Sequence, residues 1–346
     1  MTGSAIARDG TRRSQGIVIT AVGTAVAGLA DADGLLGSGS AAEAEADRSP
    51  EPAARGLRYK DEATRLTLAA VAVALERAGL LRSPDQGAAD QGIADRPRSR
   101  APELAVPGEA VATVVSSNFG SLDTVCRAAA TIAARTVTGL SPMDLPNASS
   151  NVAASSVAIR FGLRGPNLTV CNGATSGLDA VAWGRRLIES GRARWAVVAG
   201  VEVADDTVRR LAGPGRRLFH GAVALVLSSA EDAAERGAPS LGRLGGYRRA
   251  ASVARSVQKV FEHEANLWLI PEGFGGGPQP AEQIAVLDLA GRWGASSGAL
   301  GVLQCAAATA WFARGRGPAV LATAGTGADG DDASASLLLA APGARP

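Results

Sequence analysis

Apolar and polar residues follow one another along the chain in short blocks with two kinds of spacing. Continuous apolar blocks are typical of buried strands, and they lie at residues 16–27, 110–118, 167–171, 194–203, 220–229, 267–272, 318–324 and 334–340. Blocks whose apolar residues recur every three or four positions predict helices, at residues 61–80, 121–135, 148–162, 175–191, 250–264, 281–291 and 297–313. This alternation predicts an α/β fold with mixed, mostly parallel sheets sandwiched by helices in layers.

The order of these elements recurs in a weaker form after about residue 230, as in duplicated α/β folds. It predicts a flexible N-terminus at residues 1–14, an N-terminal half at residues 15–232 and a C-terminal half at residues 233–346. Two inserts, at about residues 36–56 and 82–105, are rich in Ala, Gly, Ser, Pro and acidic residues. Segments of that composition bury too little apolar surface to form a core, so both inserts are predicted to be surface loops.

Composition and charge exclude several classes of function. The 346 residues are 46% hydrophobic, which is enough to fill the core of a large globular protein. The formal net charge is +2, with basic residues scattered among acidic ones, so we expect no nucleic-acid partner and no membrane surface. No apolar run approaches the roughly 20 residues of a membrane span. Residues 1–16 lack the apolar core of a signal peptide, so a cytoplasmic protein is expected.

Residues that usually carry catalysis or bind metals are scarce. The three cysteines, Cys126, Cys171 and Cys305, are far apart and lack the C-x-x-C spacing of a zinc or redox site. We therefore expect neither a disulfide nor a metal site. The two histidines, His220 and His263, are predicted to be surface or hydrogen-bonded structural residues.

The most informative segment is "GPNLTVCNGATSGLDAVAWGRRLIESG" at residues 165–191, in which a short apolar strand, a turn of small residues and a long helix follow one another. It combines with "RRSQGIVITAVGTAVAG", "RYKDEATRLTLAAVAVALERAGL", "SSNFGSLDTV" and "LSPMDLPNASSNVAASSVAIRFGLR". Together these segments resemble the β-ketoacyl synthase family of the thiolase fold, most densely from about residue 107 to residue 204. The resemblance implies a thiolase-like fold of two duplicated halves.

In active members of that family a cysteine nucleophile lies at the bend between strand and helix, where the helix N-terminus lowers the pKa of its thiol. Aligned on Gly165-Pro166 and Thr175-Ser176-Gly177, the family pattern T-A-C-[ST]-[SG] places this cysteine on Ala174. A methyl group cannot carry an acyl chain. Cys171 lies three residues earlier, where we expect a small buried residue within the strand.

The family's other catalytic positions differ as well. The resemblance places Glu272, in "LIPEGFGGGPQP", where active members have a histidine. It places Ala290 and Ala295, in "AGRWGASSGALG", where they have a lysine and a second histidine. In active members the two histidines stabilise a developing enolate oxygen during malonyl decarboxylation. The resemblance therefore implies that this chain has no catalytic residue of its own.

Family members that keep the fold and lose the site resemble the chain-length factor of bacterial type II polyketide synthases. This implies a non-catalytic subunit that forms a heterodimer with a catalytic ketosynthase and helps to form the tunnel in which the polyketide grows. It implies no cofactor of its own, because the substrate is carried on the phosphopantetheine of an acyl carrier protein. The depth of such a tunnel limits how many carbons fit.

In chain-length factors the helix that corresponds to residues 121–135 lines the tunnel. Its inward positions here are Leu122, Val125 and Ala129, on one helical face, and the loop "SPMDLPN" with Met143 is a second candidate. Ordinary helix packing and an ordinary connecting loop are the alternatives. Small side chains at these positions favour a long or a straight, conjugated product. Chain-length factors of aromatic systems commonly carry Gln at the position of Ala174, so a polyene product is favoured.

Two other hypotheses stay open. One is a homodimeric protein that uses the same fold to bind an acyl chain or a carrier protein without a synthase partner. The other is an enzyme of altered mechanism that uses Cys171, Glu272 or His220, with Cys171 as the candidate for a relocated nucleophile.

Overall fold

The computed structural model describes residues 16–37, 57–82, 102–142, 144–258, 260, 265–275, 284–325 and 334–344. The expected flexible N-terminus and most of the two polar inserts lie outside the described residues. The ends of the second insert are joined by hydrogen bonds from Arg82 N to Glu103 O (2.8 Å) and from Ala105 N to Leu80 O (2.9 Å).

Ten strands form a single sheet in this part of the chain: β1 (Ile17–Val26), β2 (Val111–Ser116), β3 (Asn167–Val170), β4 (Trp195–Glu202), β5 (Gly221–Ser229), β6 (Gly242–Ala250), β7 (Leu267–Leu269), β8 (Ala285–Leu287), β9 (Ala319–Ala324) and β10 (Ser334–Ala340). Their order is β3-β2-β4-β5-β1-β6-β10-β9-β7-β8. Outward from the central β1–β6 pair, each set of five strands follows the same chain order. The duplicated architecture is therefore confirmed, whereas a domain boundary at residue 232 stays a prediction.

The sheet is mixed, but it is not mostly parallel. The three outer strands on each side, β3–β2–β4 and β8–β7–β9, pair in parallel. The five central pairings, from β4–β5 to β10–β9, are antiparallel. The expected majority of parallel pairs is wrong, because apolar spacing identifies a strand without giving its direction.

Nine α-helices accompany these strands in the described residues: α1 (Glu62–Arg77), α2 (Leu122–Arg135), α3 (Val152–Phe161), α4 (Ser176–Glu189), α5 (Asp206–Ala212), α6 (Ala230–Glu235), α7 (Val253–Gln258), α8 (Leu289–Trp293) and α9 (Leu300–Ala313). Helices α4 and α9 touch through glycines, since a Cβ at Gly177 would lie 2.5 Å from Gly301 N. Only glycine permits this approach of two helix backbones.

Both faces of the N-terminal strands are buried. In β4, Ala196 and Val198 belong to a core that includes residues of α4 and α9, whereas Val197 and Ala199 belong to a core that includes residues of α1 and α3. Burial on both faces explains why these strands are continuous apolar runs in the sequence. The layered arrangement, with helices on each side of the sheet, follows from the same burial.

Three segments differ from the predicted elements. Strand β6 was not expected, because its sequence, GRLGGYRRA, contains glycines and arginines in place of an apolar run. Of the helix expected at residues 250–264, the described part contains only α7. The helix expected at residues 281–291 is wrong, since its described part contains β8 and only the first residues of α8.

Candidate functional site

The bend expected to present a nucleophile is formed as the sequence predicts. Strand β3 ends at Val170, a 3-10 turn spans Gly173–Thr175, and α4 begins at Ser176. Ala174 lies in this turn and is half-buried. The buried carboxylate of Asp179, one turn into α4, accepts hydrogen bonds from Thr175 Oγ1 (2.9 Å), Asn172 Nδ2 and the Tyr247 hydroxyl. The bend is therefore braced on both sides of position 174.

Asn118 joins the bend to the turn that precedes α9. Its Nδ2 donates to Gly173 O (2.9 Å) and to Ser297 Oγ (2.8 Å), and its Oδ1 accepts from Ser176 Oγ (3.0 Å). Because Ser297 follows Ala295 by two residues, this amide holds two of the altered positions, 174 and 295, in one region of the molecule.

Glu272 lies in the same region. Its Oε2 accepts hydrogen bonds from Ser296 N and Ser297 N, both at 2.8 Å, and its Oε1 accepts one from Arg216 Nη2 at 2.6 Å. Ala295 comes directly before Ser296 and donates its N–H to Arg217 O (2.9 Å). The structure thus brings Glu272 to the two residues that follow Ala295, and neither position 272 nor position 295 carries an imidazole.

Ala290 occupies the first turn of α8, and its carbonyl oxygen accepts a hydrogen bond from Gly294 N (2.9 Å). Its methyl group offers neither charge nor hydrogen bonding to the region of Ala174 and Ala295.

Glu202 is a buried acid that the sequence analysis missed. It is 2% exposed, and its carboxyl oxygens accept hydrogen bonds from Asn118 N (2.7 Å), Gly298 N (3.0 Å), Phe119 N (3.2 Å) and Ser117 Oγ (3.2 Å). Burial raises the pKa of this carboxyl group to about 7, although the hydrogen bonds oppose the shift. A usable signal was present, because Asn118 and Glu202 follow or close neighbouring parallel strands, whose carboxyl ends meet at one edge.

The expectation for Cys171 is wrong. Strand β3 ends one residue before it, and the side chain is exposed. Its Sγ lies 3.8 Å from Asn118 O. His220 is engaged elsewhere, since its Nδ1 accepts from Ala204 N (3.1 Å) and its Nε2 lies 3.5 Å from Glu62 Oε1. His263 lies outside the described residues.

The proposed tunnel residues lie on the surface of the isolated chain. Leu122 is half-buried, Val125 is 43% exposed and Ala129 is exposed, while Met143 lies outside the described residues. A cavity at the base of α2, lined by residues that include Val115, Ser117 and Thr169, has room for about one water molecule. That cavity is far too small for an acyl chain.

The sequence model of the β-ketoacyl synthase N-terminal domain matches residues 24–210, more than half of the chain. The chain belongs to the β-ketoacyl synthase family. It is 27% identical over 161 residues to the 3-oxoacyl-[acyl-carrier-protein] synthase 2 of Vibrio harveyi, and this match covers 40% of this chain and 39% of that protein. It is 33% identical over 123 residues to the putative polyketide beta-ketoacyl synthase 1 of Streptomyces cyaneus, which is 29% of each chain. The matches thus span less than half of these curated relatives.

Solved structures of this synthase family share the fold over nearly the whole chain. The AntDE:AntF complex, a type II polyketide synthase acyl-carrier protein with its ketosynthase, matches with a TM-score of 0.70 at 16% identity and covers 95% of this chain and 100% of that one. The ishigamide ketosynthase/chain length factor matches with a TM-score of 0.64 at 23% identity, covering 94% and 99%. A β-ketoacyl synthase from Burkholderia phymatum STM815 matches with a TM-score of 0.72 at 15% identity, covering 94% and 99%. These likenesses establish the thiolase-like synthase fold.

The described residues contain neither a helix suited to cross a membrane nor a cluster suited to bind a metal ion. No helix there combines the length and the apolar character that a membrane crossing requires. No group of three or more histidine, cysteine or acidic side chains is placed to hold a metal ion in that part of the chain.

Proposed function

We propose that this synthase-family protein is a non-catalytic subunit, a chain-length factor, that forms a heterodimer with a catalytic ketosynthase. The observation that carries the proposal is the bend at position 174, where the hydrogen-bonded frame is intact and the side chain is a methyl group. Glu272 and Ala295 meet nearby without an imidazole. A hydrogen-bonded bend that lacks a nucleophile fits a subunit whose partner supplies the thiol.

A sheet edge and an exposed apolar face support the proposed heterodimer. Strand β3 is at one end of the sheet and pairs only with β2 among the described strands. Helix α2 and the segment after it expose Val125, Ile132, Val137 and Leu145. Exposed apolar surface of this kind commonly marks an interface. We therefore propose that the ketosynthase covers this side of the molecule.

The same face accounts for the proposed tunnel. Val125 and Ala129 line no cavity large enough for an acyl chain in the isolated chain, so they can line a tunnel only when a second chain covers α2. Their small side chains favour a long, straight product such as a polyene. An acyl carrier protein would deliver the growing chain on its phosphopantetheine, and this chain would need no cofactor of its own.

Co-expression with candidate catalytic ketosynthases tests the proposal. We expect a stable one-to-one complex that elongates acyl carrier protein substrates, while this chain alone is not acylated. Size-exclusion chromatography with mass determination measures the complex. A chain that stays homodimeric beside every such ketosynthase would contradict the heterodimer and favour the homodimeric binding protein.

The exposure of Cys171 beside the bend favours one rival, an enzyme with a relocated nucleophile. That rival requires the isolated chain to be acylated by an acyl carrier protein substrate, and Cys171→Ser should abolish the adduct. Cys126→Ser is the matched control, because Cys126 is also exposed but lies on α2. Intact-mass spectrometry decides, and a Cys171-dependent acyl adduct would reject the non-catalytic proposal.

A further inference from the structure

Three successive backbone N–H groups precede α9, and all three donate to carboxyl groups. Those of Ser296 and Ser297 donate to Glu272 Oε2 at 2.8 Å, and that of Gly298 donates to Glu202 Oε1 at 3.0 Å. The N–H groups at the start of a helix lack partners within the helix and attract negative charge. Here the protein's own acidic side chains satisfy them.

Arg216 completes the surroundings of Glu272. Its Nη2 lies 2.6 Å from Glu272 Oε1, so one oxygen is bound by backbone and the other by a guanidinium. The Glu272 side chain is only 16% exposed, whereas Arg216 is 54% exposed. Two backbone N–H groups and one guanidinium thus donate to the two oxygens, and this set of donors fits a carboxylate.

The backbone on both sides of this pocket is fixed. Ser297 adopts a φ of 41°, in the left-handed region that few residues other than glycine occupy, and both Glu272 and Asn118 hold it there. On the other side, the buried Gln304 donates from Nε2 to the carbonyl oxygens of Leu269 and Ile270, which lie shortly before Glu272. Contacts within the chain therefore hold the backbone N–H donor of Ser297 and the segment that leads to Glu272 in place.

We propose that Glu272 is an internal substitute for an acidic substrate group: its carboxylate fills an anion pocket formed by Ser296 N, Ser297 N and Arg216, and closes that pocket to carboxylate-bearing acyl units. The filled pocket lies next to Ala295, at the place where the family resemblance implies catalytic imidazoles. That the excluded unit is a malonyl-type acid rests on the proposed function, whereas the filled pocket does not.

Replacing Glu272 tests the pocket in the full chain alone. Glu272→Ala leaves two N–H groups and Arg216 without their acceptor, so added malonate can occupy the space. In thermal unfolding at constant ionic strength, balanced with chloride, we expect malonate to raise the Tm of this variant saturably by about 3 °C. The wild-type chain should show no saturable rise, because its own carboxylate already occupies the donors.

Glu109→Ala is the matched control, since it also removes an arginine-paired carboxylate, that of the exposed Glu109–Arg164 pair. An equal rise in this control or in the wild type would show a general salt effect and overturn the proposal, as would no rise in Glu272→Ala. Should Glu272→Ala not fold in buffer, its refolding yield with and without malonate is the readout, and a yield that malonate does not restore overturns the proposal. No synthase partner is present, so a failed heterodimer test leaves this result unaffected.

Discussion

The carboxyl group of Glu202 is buried where β4, the segment 117–119 and the turn before α9 meet. Its oxygens accept three backbone hydrogen bonds and one from a serine hydroxyl. Burial nevertheless dominates and raises the pKa of Glu202 to about 7. This acid therefore changes charge near neutral pH at the junction between two halves of the protein.

The sign of the resulting pH dependence follows from the raised pKa. The folded chain binds this proton more tightly than the unfolded chain, so the contribution of Glu202 to stability is full below about pH 4.5 and is lost as the pH rises through about 7. The pKa of Glu202 in the folded chain and its ordinary value of 4.5 differ by an amount that corresponds to about 3 kcal/mol of unfolding free energy.

We expect the free energy of unfolding to fall by up to that amount between pH 5 and pH 8 in the wild type, relative to Glu202→Gln, which cannot titrate. Urea unfolding of both proteins at the two pH values gives the difference. Comparing the two proteins removes the effect of other acids such as Asp205, whose pKa burial also raises. Parallel pH profiles of the two proteins would contradict the assignment.

Single residues were predictable where an alignment fixed them. The position of Ala174 on the bend followed from motif spacing and was found. The hydrogen bond from Ser296 N to Glu272 was not predicted, because it depends on the folded path of two distant segments. The exposure of Cys171 was not predictable from its residue type, because one residue at a strand end decides whether a side chain stays in the sheet. The buried site of Glu202 was not predicted, because apolar periodicity does not show whether an acid inside an apolar run has a function.

Helix α2 is amphipathic, but it has little to pack against in the described part of the chain. Thr124 is its only fully buried residue, and Val125 and Ile132 are more than 40% exposed. Elsewhere the apolar helices, such as α1, bury most of one face against the sheet. We therefore expect the proposed partner subunit to stabilise α2.

Ala129→Phe tests whether α2 lines the proposed tunnel in the complex. The position is exposed, so the free energy of unfolding of the isolated chain should change by less than about 0.5 kcal/mol. In the reconstituted complex a larger ring would fill part of the tunnel, so products should be shorter by one or more extension units. Val286→Phe is the control, because Val286 is 44% exposed on β8, at the opposite end of the sheet. Unchanged product length with an assembled complex would remove Ala129 from the tunnel.

Whole elements were predictable where both faces of a strand are buried. The strand expected at residues 334–340 coincides with β10, and the other apolar runs match within a few residues. β6 could not be predicted, because its arginines and glycines are accommodated by pairing with β1 and β10, which is a long-range effect. The helix expected at residues 281–291 failed for a related reason, because the parallel pairing of β8 with β7 overrides local helical spacing.

One strand pair and one helix pair are among the contacts that hold the two sets of five strands together. Strands β1 and β6 pair across the centre of the sheet, and helices α4 and α9 meet at Gly177 and Gly301. A Cβ on Gly301 would lie 2.2 Å from Leu178 N, so neither glycine leaves room for a side chain. Gly177 and Gly301 therefore permit the close packing of α4 against α9.

Gly177→Ala should push these helices apart. Its Cβ would lie 2.5 Å from Gly301 N and 2.9 Å from Gly298 O, both backbone atoms that cannot turn away. We expect the variant to lose about 3 kcal/mol of stability, measured by urea unfolding. Gly275→Ala, which meets open space, should be neutral. Equal stability of the two variants would show that the helices can separate without cost.

Ala174 and Gly177 are three residues apart in the same short segment, but different constraints limit which residues each position can accept. In the proposed heterodimer the partner provides the thiol, so position 174 is free of any chemical requirement, whereas the backbone contact at Gly177 still requires glycine. Under that proposal, substitutions can remove the reaction from such a subunit and leave its fold unchanged.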